Sequence, residues 1–157
     1  MARKQAAEKH AADPLLQLGN QLCFAIYSAG HAFNRVYKPL LDRLGLTYPQ
    51  YLVMLVLWER DGVPVKDIGE RLFLDSGTLT PLLKRLEAAD LIKRTRSTVD
   101  ERQVLIALTP QGQALRDKAK AVPQSILAAS ACSVGELLAM KDEIVALRDR
   151  LNAVLEE

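Results

Sequence analysis

Strong charge of either sign is the first thing this chain lacks. Its 157 residues carry 21 Lys and Arg against 19 Asp and Glu, a formal net charge of +2. No global basic excess announces a nucleic-acid partner, so any such case rests on local placement. Cysteine and histidine are scarce: Cys23, Cys132, His10 and His31 are all there are. Two distant thiols and two distant imidazoles make no ligand cluster, so no metal is expected. No glycine-rich phosphate loop appears either, and no cofactor is expected. The first thirteen residues are polar and Ala-rich, without the apolar core of a signal peptide. The longest charge-free stretch, Pro14 to Asn34, is 21 residues, enough to span a bilayer. It carries Gln17, Asn20, Gln21, Ser28 and His31, too many polar groups to face lipid. A cytoplasmic protein with reduced thiols and no membrane partner is the expectation.

What is present is an ordinary globular composition, 49% hydrophobic and 25% charged, which excludes a disordered or fibrous chain. The length suits one domain with a core large enough to need no staple. Residues 1–12 read as a flexible N-terminus and 13–157 as one domain. Apolar residues recur at helical spacing almost throughout. Asp13-Pro14 reads as a helix start, followed by Leu15, Leu18, Leu22, Ile26, Ala29, Phe33, Val36 and Leu40. Gly30 weakens that helix by roughly 1 kcal/mol, Pro39 kinks it or starts a new segment, and Gly45 ends it. Thr47 to Gln50 is a capping-box pattern. The segment Tyr51 to Trp58 is apolar all round, which predicts the buried centre of the domain.

At the other end Ser133 and Glu136 repeat the capping-box pattern. Leu137, Met140, Ile144, Leu147, Leu151 and Val154 then step by threes and fours, an a/d seam of about two and a half heptads. Such a seam must pack on something. Either both termini intertwine between two subunits, the more economical solution, or the two terminal helices pack within one monomer.

The middle is different. Val65 to Leu72 is a short helix, Asp75 to Thr78 a capping turn, and Leu79, Leu82, Leu83 and Leu86 the buried face of a second helix. Leu91 to Arg96 and Gln103 to Leu108 are short runs bounded by turns, hence a hairpin. Helix, turn, helix and hairpin in this order predict a winged helix-turn-helix: mostly α with a small β-hairpin wing at about 91–108. The wing unit and buried helix span 47–109, flanked by dimerisation helices at 13–46 and 110–157.

On the second helix, the face opposite the leucines offers Ser76, Thr78, Thr80, Lys84 and Arg85. Hydroxyls at a helix N-terminus can meet phosphates or base edges in a major groove. Taken alone, one such helix is more often an ordinary solvated face. The hairpin adds Arg94, Arg96 and Arg102, suited to a narrow minor groove where negative potential is concentrated. Asp100, two residues before Arg102, either aims that side chain outward or merely closes the turn. From Ser76 to Leu108 there are six basic and four acidic residues, so the excess is modest.

The run Asp75-Ser76-Gly77-Thr78-Leu79-Thr80-Pro81-Leu82-Leu83-Lys84-Arg85-Leu86-Glu87, then Asp100-Glu101-Arg102 and Leu108-Thr109-Pro110-Gln111-Gly112, resembles the MarR family of dimeric winged-helix regulators. The stretches Asn20 to Tyr27, Tyr37 to Leu41 and Leu46 to Tyr51 resemble its organic-hydroperoxide-sensing branch. The resemblance covers roughly residues 15 to 116. Asp90 stands where a Gly usually ends the recognition helix; Asp tolerates a left-handed conformation.

The resemblance implies that Cys23 is a redox-sensing thiol. The thiolate is the nucleophile, and an unperturbed thiol with a pKa of about 8.5 is only about 3% ionised at pH 7. No Lys, Arg or His lies within four residues of Cys23. Phenolic donors are the available alternative. By resemblance, Tyr37 and Tyr48 of the partner subunit serve Cys23, and Tyr27 follows one turn later on its face. Cys132 resembles the resolving thiol of a two-cysteine subtype. The whole implies a cytoplasmic homodimeric repressor that leaves double-stranded operator DNA when an organic hydroperoxide oxidises Cys23. One rival is a MarR-type repressor released by a small aromatic ligand, with Cys23 incidental. A thiol peroxidase is the other, but no Thr or Pro precedes Cys23 closely, and a wing unit would have no role in an enzyme.

Overall fold

A computed structural model describes residues 13–100 and 102–155. The N-terminal segment expected to be flexible, 1–12, and the Glu101 of the wing motif lie outside these. The described chain divides into a compact unit ending at Val36 and another beginning at Tyr37.

In the first unit the helix expected from Asp13 opens later. Asp13 does cap a turn, accepting the Leu15 N–H, with Pro14 in the first position. That turn is a 3-10 piece, Pro14–Leu16, followed by another, Leu18–Asn20. The cause is side-chain competition for carbonyls. Asn20 Nδ2 donates to the Pro14 carbonyl at 2.8 Å and Gln21 Nε2 to the Leu15 carbonyl at 2.7 Å. Helix α1, Leu22–Asp42, then runs through Pro39, so no new segment starts there. Its first fifteen residues expose large apolar side chains: Leu22, Phe24, Ile26, Tyr27, Phe33 and Val36 are all 38% exposed or more.

The second unit holds the core. Gly45, at φ +68°, turns the chain after α1, and the Leu46 N–H returns to the Leu41 carbonyl. Helix α2, Tyr48–Glu59, starts on the reciprocal Thr47–Gln50 capping box and buries Tyr51, Val53, Met54, Val56 and Leu57. This is the central helix expected from its all-round apolarity. Strand β1, Val63–Pro64, leads into α3, Val65–Leu72, and α4, Ser76–Ala88. Strands β2, Ile92–Arg96, and β3, Val104–Leu108, form the wing hairpin, paired Ile92 with Leu108 through Arg96 with Val104. β1 adds to the other edge of β3, giving the order β1-β3-β2. That third strand is two residues long, too short to show any alternation. Asp90 ends α4 at φ +56°, as its sequence position suggests, and the Leu91 N–H closes onto the Leu86 carbonyl.

Helix α5, Pro110–Ala119, is capped by Thr109 and continues as α6, Ala121–Ser130. Helix α7, Val134–Leu155, begins at the Ser133–Glu136 box, in which Ser133 N–H and Glu136 N–H donate to each other's side-chain oxygens at 2.8 and 3.2 Å. The Ser133 N–H and the Ser133 hydroxyl, both donating to Glu136 Oε2 at 2.8 Å, hold the Glu136 carboxyl below the usual range. No described residue of α7 is buried; Met140, Ile144, Leu151 and Val154 of the seam are at least 46% exposed. Among the described residues no single helix is long and apolar enough to cross a membrane.

Candidate nucleic-acid interface and thiol site

Helix α4 stands on three fully buried leucines, Leu79, Leu83 and Leu86. Its far side presents Ser76, Thr78, Lys84 and Arg85 to solvent, with Thr80 half-buried. Pro81 is the sixth residue of the helix and supplies no N–H to the preceding turn, yet the helix runs unbroken to Ala88. Asp75 caps it, accepting the Thr78 N–H at 2.8 Å and the Thr78 hydroxyl at 3.2 Å. Those two bonds hold the Asp75 carboxyl below the usual range. The Thr78 proton is thus already committed, and its oxygen is left to accept.

The wing tip is closed by short-range bonds. Ser97, buried at the base of the turn, accepts the Val99 and Asp100 N–H groups at 3.2 Å each. The Ser97 N–H donates to the Gln103 carbonyl, and the Gln103 N–H to that of Asp100. Asp100 Oδ1 accepts the backbone N–H of Arg102 at 3.0 Å. Asp100 therefore closes the turn through the main chain and does not grip the Arg102 guanidinium, which is exposed with Arg96.

Arg94 differs from the other two wing arginines. Sequence groups it with them as a DNA-binding residue, but its side chain is only 27% exposed, and Nε lies 3.1 Å from Glu87 Oε2 on α4. Strand alternation puts Arg94 and Arg96 alike on the face of buried Ile92; Arg94 meets Glu87 at the end of α4, while Arg96, two residues further along the strand, stays exposed. Two further positions escape sequence reasoning. Asp61 Oδ1 accepts the Leu108 N–H at 2.8 Å, pinning the end of β3. Trp58 Nε1 donates to the Gly112 carbonyl at 2.9 Å. Neither has a local signal, since each acts across about fifty residues of chain.

The thiol residues fall on separate elements. Cys23 is exposed on the first turn of α1. Tyr27, one turn on, packs edge-on against His31 with ring centroids 4.4 Å apart. Cys132 is half-buried before α7, its thiol donating to the Ser130 carbonyl at 3.3 Å. In the second unit, the rings of Tyr37 and Tyr48 lie 4.8 Å apart, and Tyr51 joins them 6.1 Å from Tyr37. Burial pushes the Tyr37 phenol up to about 12, with Tyr48 and Tyr51 adding to it. Burial also raises Tyr48 and Tyr51. These phenols keep their protons at neutral pH and remain hydrogen-bond donors. Sequence places Tyr51 in the apolar core segment and in the stretch that carries the resemblance, but gives it no role at the thiol; its place beside Tyr48, three residues earlier on α2, is the signal that ties it to the cluster.

Comparison with known proteins bears on both features. A family model described as transcriptional regulator SarA/Rot matches residues 35–119. The HTH-type transcriptional regulator TtmR of Methylorubrum extorquens is 50% identical over 151 residues, 96% of this chain and 77% of that protein. The organic hydroperoxide resistance transcriptional regulator of Bacillus subtilis is 49% identical over 137 residues, 87% of this chain and 93% of that protein. Among solved structures, reduced AbfR of Staphylococcus epidermidis bound to DNA superposes with a TM-score of 0.73 at 37% identity, covering 92% of this chain and 100% of that one. A MarR-family regulator from Rhodococcus sp. RHA1 gives 0.75 at 25% identity, over 84% and 95%.

Proposed function

Because this chain belongs to the SarA/Rot family of winged-helix transcriptional regulators, with MarR-type regulators as structural neighbours, we propose that it is a redox-sensing repressor. It binds operator DNA as a homodimer when Cys23 is reduced and leaves when an organic hydroperoxide oxidises that thiol. The observation that carries the reading is an exposed Cys23 on the first turn of α1, in a chain 49% identical to an organic hydroperoxide resistance regulator.

The uncovered apolar faces of α1 and α7 support the dimer. Large apolar side chains left exposed repeatedly along a helix mark an interaction site. A two-fold dimer then carries two α4 helices and two wings, which requires matching half-sites about one helical turn apart. Ser76, Thr78, Thr80, Lys84 and Arg85 face the major groove, and Arg96 and Arg102 the minor groove.

In the sensing step the Cys23 thiolate attacks the outer oxygen of the hydroperoxide. The O–O bond breaks, sulfur gains that oxygen as a sulfenic acid, and the leaving alkoxide takes a proton to become the alcohol. Sulfur loses two electrons and the peroxide gains them. If the Cys132 thiol of the partner subunit then attacks the sulfenic sulfur, a disulfide forms and water leaves. Protonated Tyr37 and Tyr48 of the partner, with Tyr27, donate hydrogen bonds that favour the thiolate over the thiol. The chain is a cytoplasmic regulator that turns over no substrate: each oxidised thiol must be reduced before it senses again.

The test uses a duplex selected from a randomised pool by the reduced full-length protein. Wild type should release it on addition of one equivalent of cumene hydroperoxide, and Cys23→Ser should bind equally well and hold on. Release of Cys23→Ser by peroxide overturns the thiol mechanism. Release of both proteins by an aromatic acid without peroxide identifies a ligand-gated repressor instead.

A further inference from the structure

We infer that Glu87 and Arg94 form a strut that sets the angle between the recognition helix and the wing, making Arg94 a positioning residue for DNA recognition. The inference deepens the reading above and rests on it for its DNA consequences, though not for its geometry.

Three observations meet here. Glu87 is the next-to-last residue of α4, and Arg94 is the middle residue of β2. On β2, Ile92, Arg94 and Arg96 alternate with the exposed Lys93 and Thr95. Ile92 is 2% exposed, so the same face carries Arg94 over α4. The Nε and Nη2 groups of Arg94 are sealed from water and make no hydrogen bond of good geometry among the described residues. Glu87, 3.1 Å away with its own side chain 44% exposed, is the carboxylate that compensates this partly shielded charge.

Removing Glu87 leaves the two water-shielded nitrogens of Arg94 without their neighbouring carboxylate, and an uncompensated charge is costly in proportion to its shielding. The cheapest relief is for the guanidinium to swing out to water. That movement releases β2 from the end of α4. The helix reads one groove and the wing another, so their relative angle decides which operators both can reach at once. A two-residue strut at the junction thus acts on specificity without touching a base.

Two measurements on the full-length reduced protein test this. The first needs no DNA. Spin labels at Lys84→Cys and Thr98→Cys, in a background with both native cysteines changed to Ser, report the distance between helix and wing. Glu87→Gln should broaden the distance distribution, and the reversed pair Glu87→Arg/Arg94→Glu should narrow it again. An unchanged distribution in Glu87→Gln overturns the strut. The second measures affinity for the selected duplex against salt. Glu87→Gln removes a negative charge near DNA, so simple electrostatics makes it bind tighter. The strut makes it bind about 3–30-fold weaker, within the span of coupling between neighbouring residues. Arg94→Lys, which keeps the charge and loses the fork, should weaken binding similarly with an unchanged salt slope, and the reversed pair should bind better than either Glu87→Gln or Arg94→Ala. If instead Arg94→Ala lowers the slope by about 0.9 for each phosphate that Arg94 neutralises, while Glu87→Gln binds as well as wild type or better, Arg94 grips phosphate and the strut is wrong. Should wild type bind no duplex, the regulator reading falls while the spin-label result still decides the strut.

Discussion

Changing Gly112 to Ala should damage this molecule far more than an added methyl group suggests. Gly112 is the third residue of α5, where Ala would ordinarily be welcome. Its N–H donates to the Thr109 hydroxyl at 3.0 Å, and its carbonyl accepts the Trp58 indole N–H at 2.9 Å. A Cβ built there would stand 2.0 Å from the Leu91 carbonyl oxygen and 2.9 Å from its carbon. An ordinary van der Waals approach needs more than an ångström of additional room. Leu91 cannot easily yield: its N–H is bonded to the Leu86 carbonyl at 3.0 Å and its carbonyl to the Thr109 N–H at 3.1 Å. Thr109 is itself tied to the Asp90 carbonyl at 2.5 Å. The clash therefore falls on main chain held from both sides at the base of the wing. Overpacking of this kind costs about 3 kcal/mol, the upper end of its usual range. For a chain of this size that lowers Tm by about 6–12 °C. Thermal melting followed by circular dichroism measures it. Emission from Trp58, the only tryptophan, reports its bond to Gly112 directly and should shift as the indole loses its acceptor. A Tm within about 2 °C of wild type, with unchanged Trp58 emission, would refute the claim that this close approach fixes the wing base to α5.

Other outcomes follow from the tyrosines and arginines. Burial lifts Tyr37 to about 12, above the value near 10 of an unfolded chain, so the folded state holds this proton more tightly. The stability this contributes is complete below about pH 10 and is lost as pH rises toward 12, so the urea midpoint should fall over that window and fall less in Tyr37→Phe; an equal fall in both contradicts it. In Cys132→Ser protein, adding Tyr37→Phe or Tyr48→Phe should move the alkylation midpoint of Cys23 to higher pH, and unmoved midpoints in both return these rings to simple packing. Arg102→Ala should weaken duplex binding and reduce the salt slope by about 0.9 for each phosphate that Arg102 neutralises; unchanged affinity and slope mean that the wing stays off the DNA. Arg85→Ala should cost about 1–3 kcal/mol and relax preference at particular base pairs, if it touches a base edge; binding to a panel of single-base duplex variants reads this out.

The difference between what is legible in the sequence and what is not follows the range of the interactions. Capping residues act within one turn, so Thr47, Asp75, Thr109 and Ser133 mark their helices correctly, and Asp90 marks a left-handed end without a Gly. A helix start at Asp13 comes too early because the competing amides of Asn20 and Gln21 act six residues back, beyond a turn's reach. Arg94 goes with Arg96 and Arg102 by residue type and proximity along the chain. Strand alternation sets Arg94 and Arg96 alike on the face of Ile92, and only the packing of β2 against α4 gives Arg94 a partner in Glu87 while Arg96 stays exposed.

By itself, then, the amino-acid order determined most of the helices, the buried leucines of α4 and the wing hairpin, because periodicity, caps and turn chemistry are local; the thiol residues come from the resemblance, not from a local signal of their own. Only the tertiary structure decided which partner each side chain takes. It set Glu87 against Arg94, Trp58 against the Gly112 carbonyl, Asp61 against Leu108, and Tyr51 beside Tyr37. These are pairings between distant segments, and they depend on how elements pack, which no window along the chain contains.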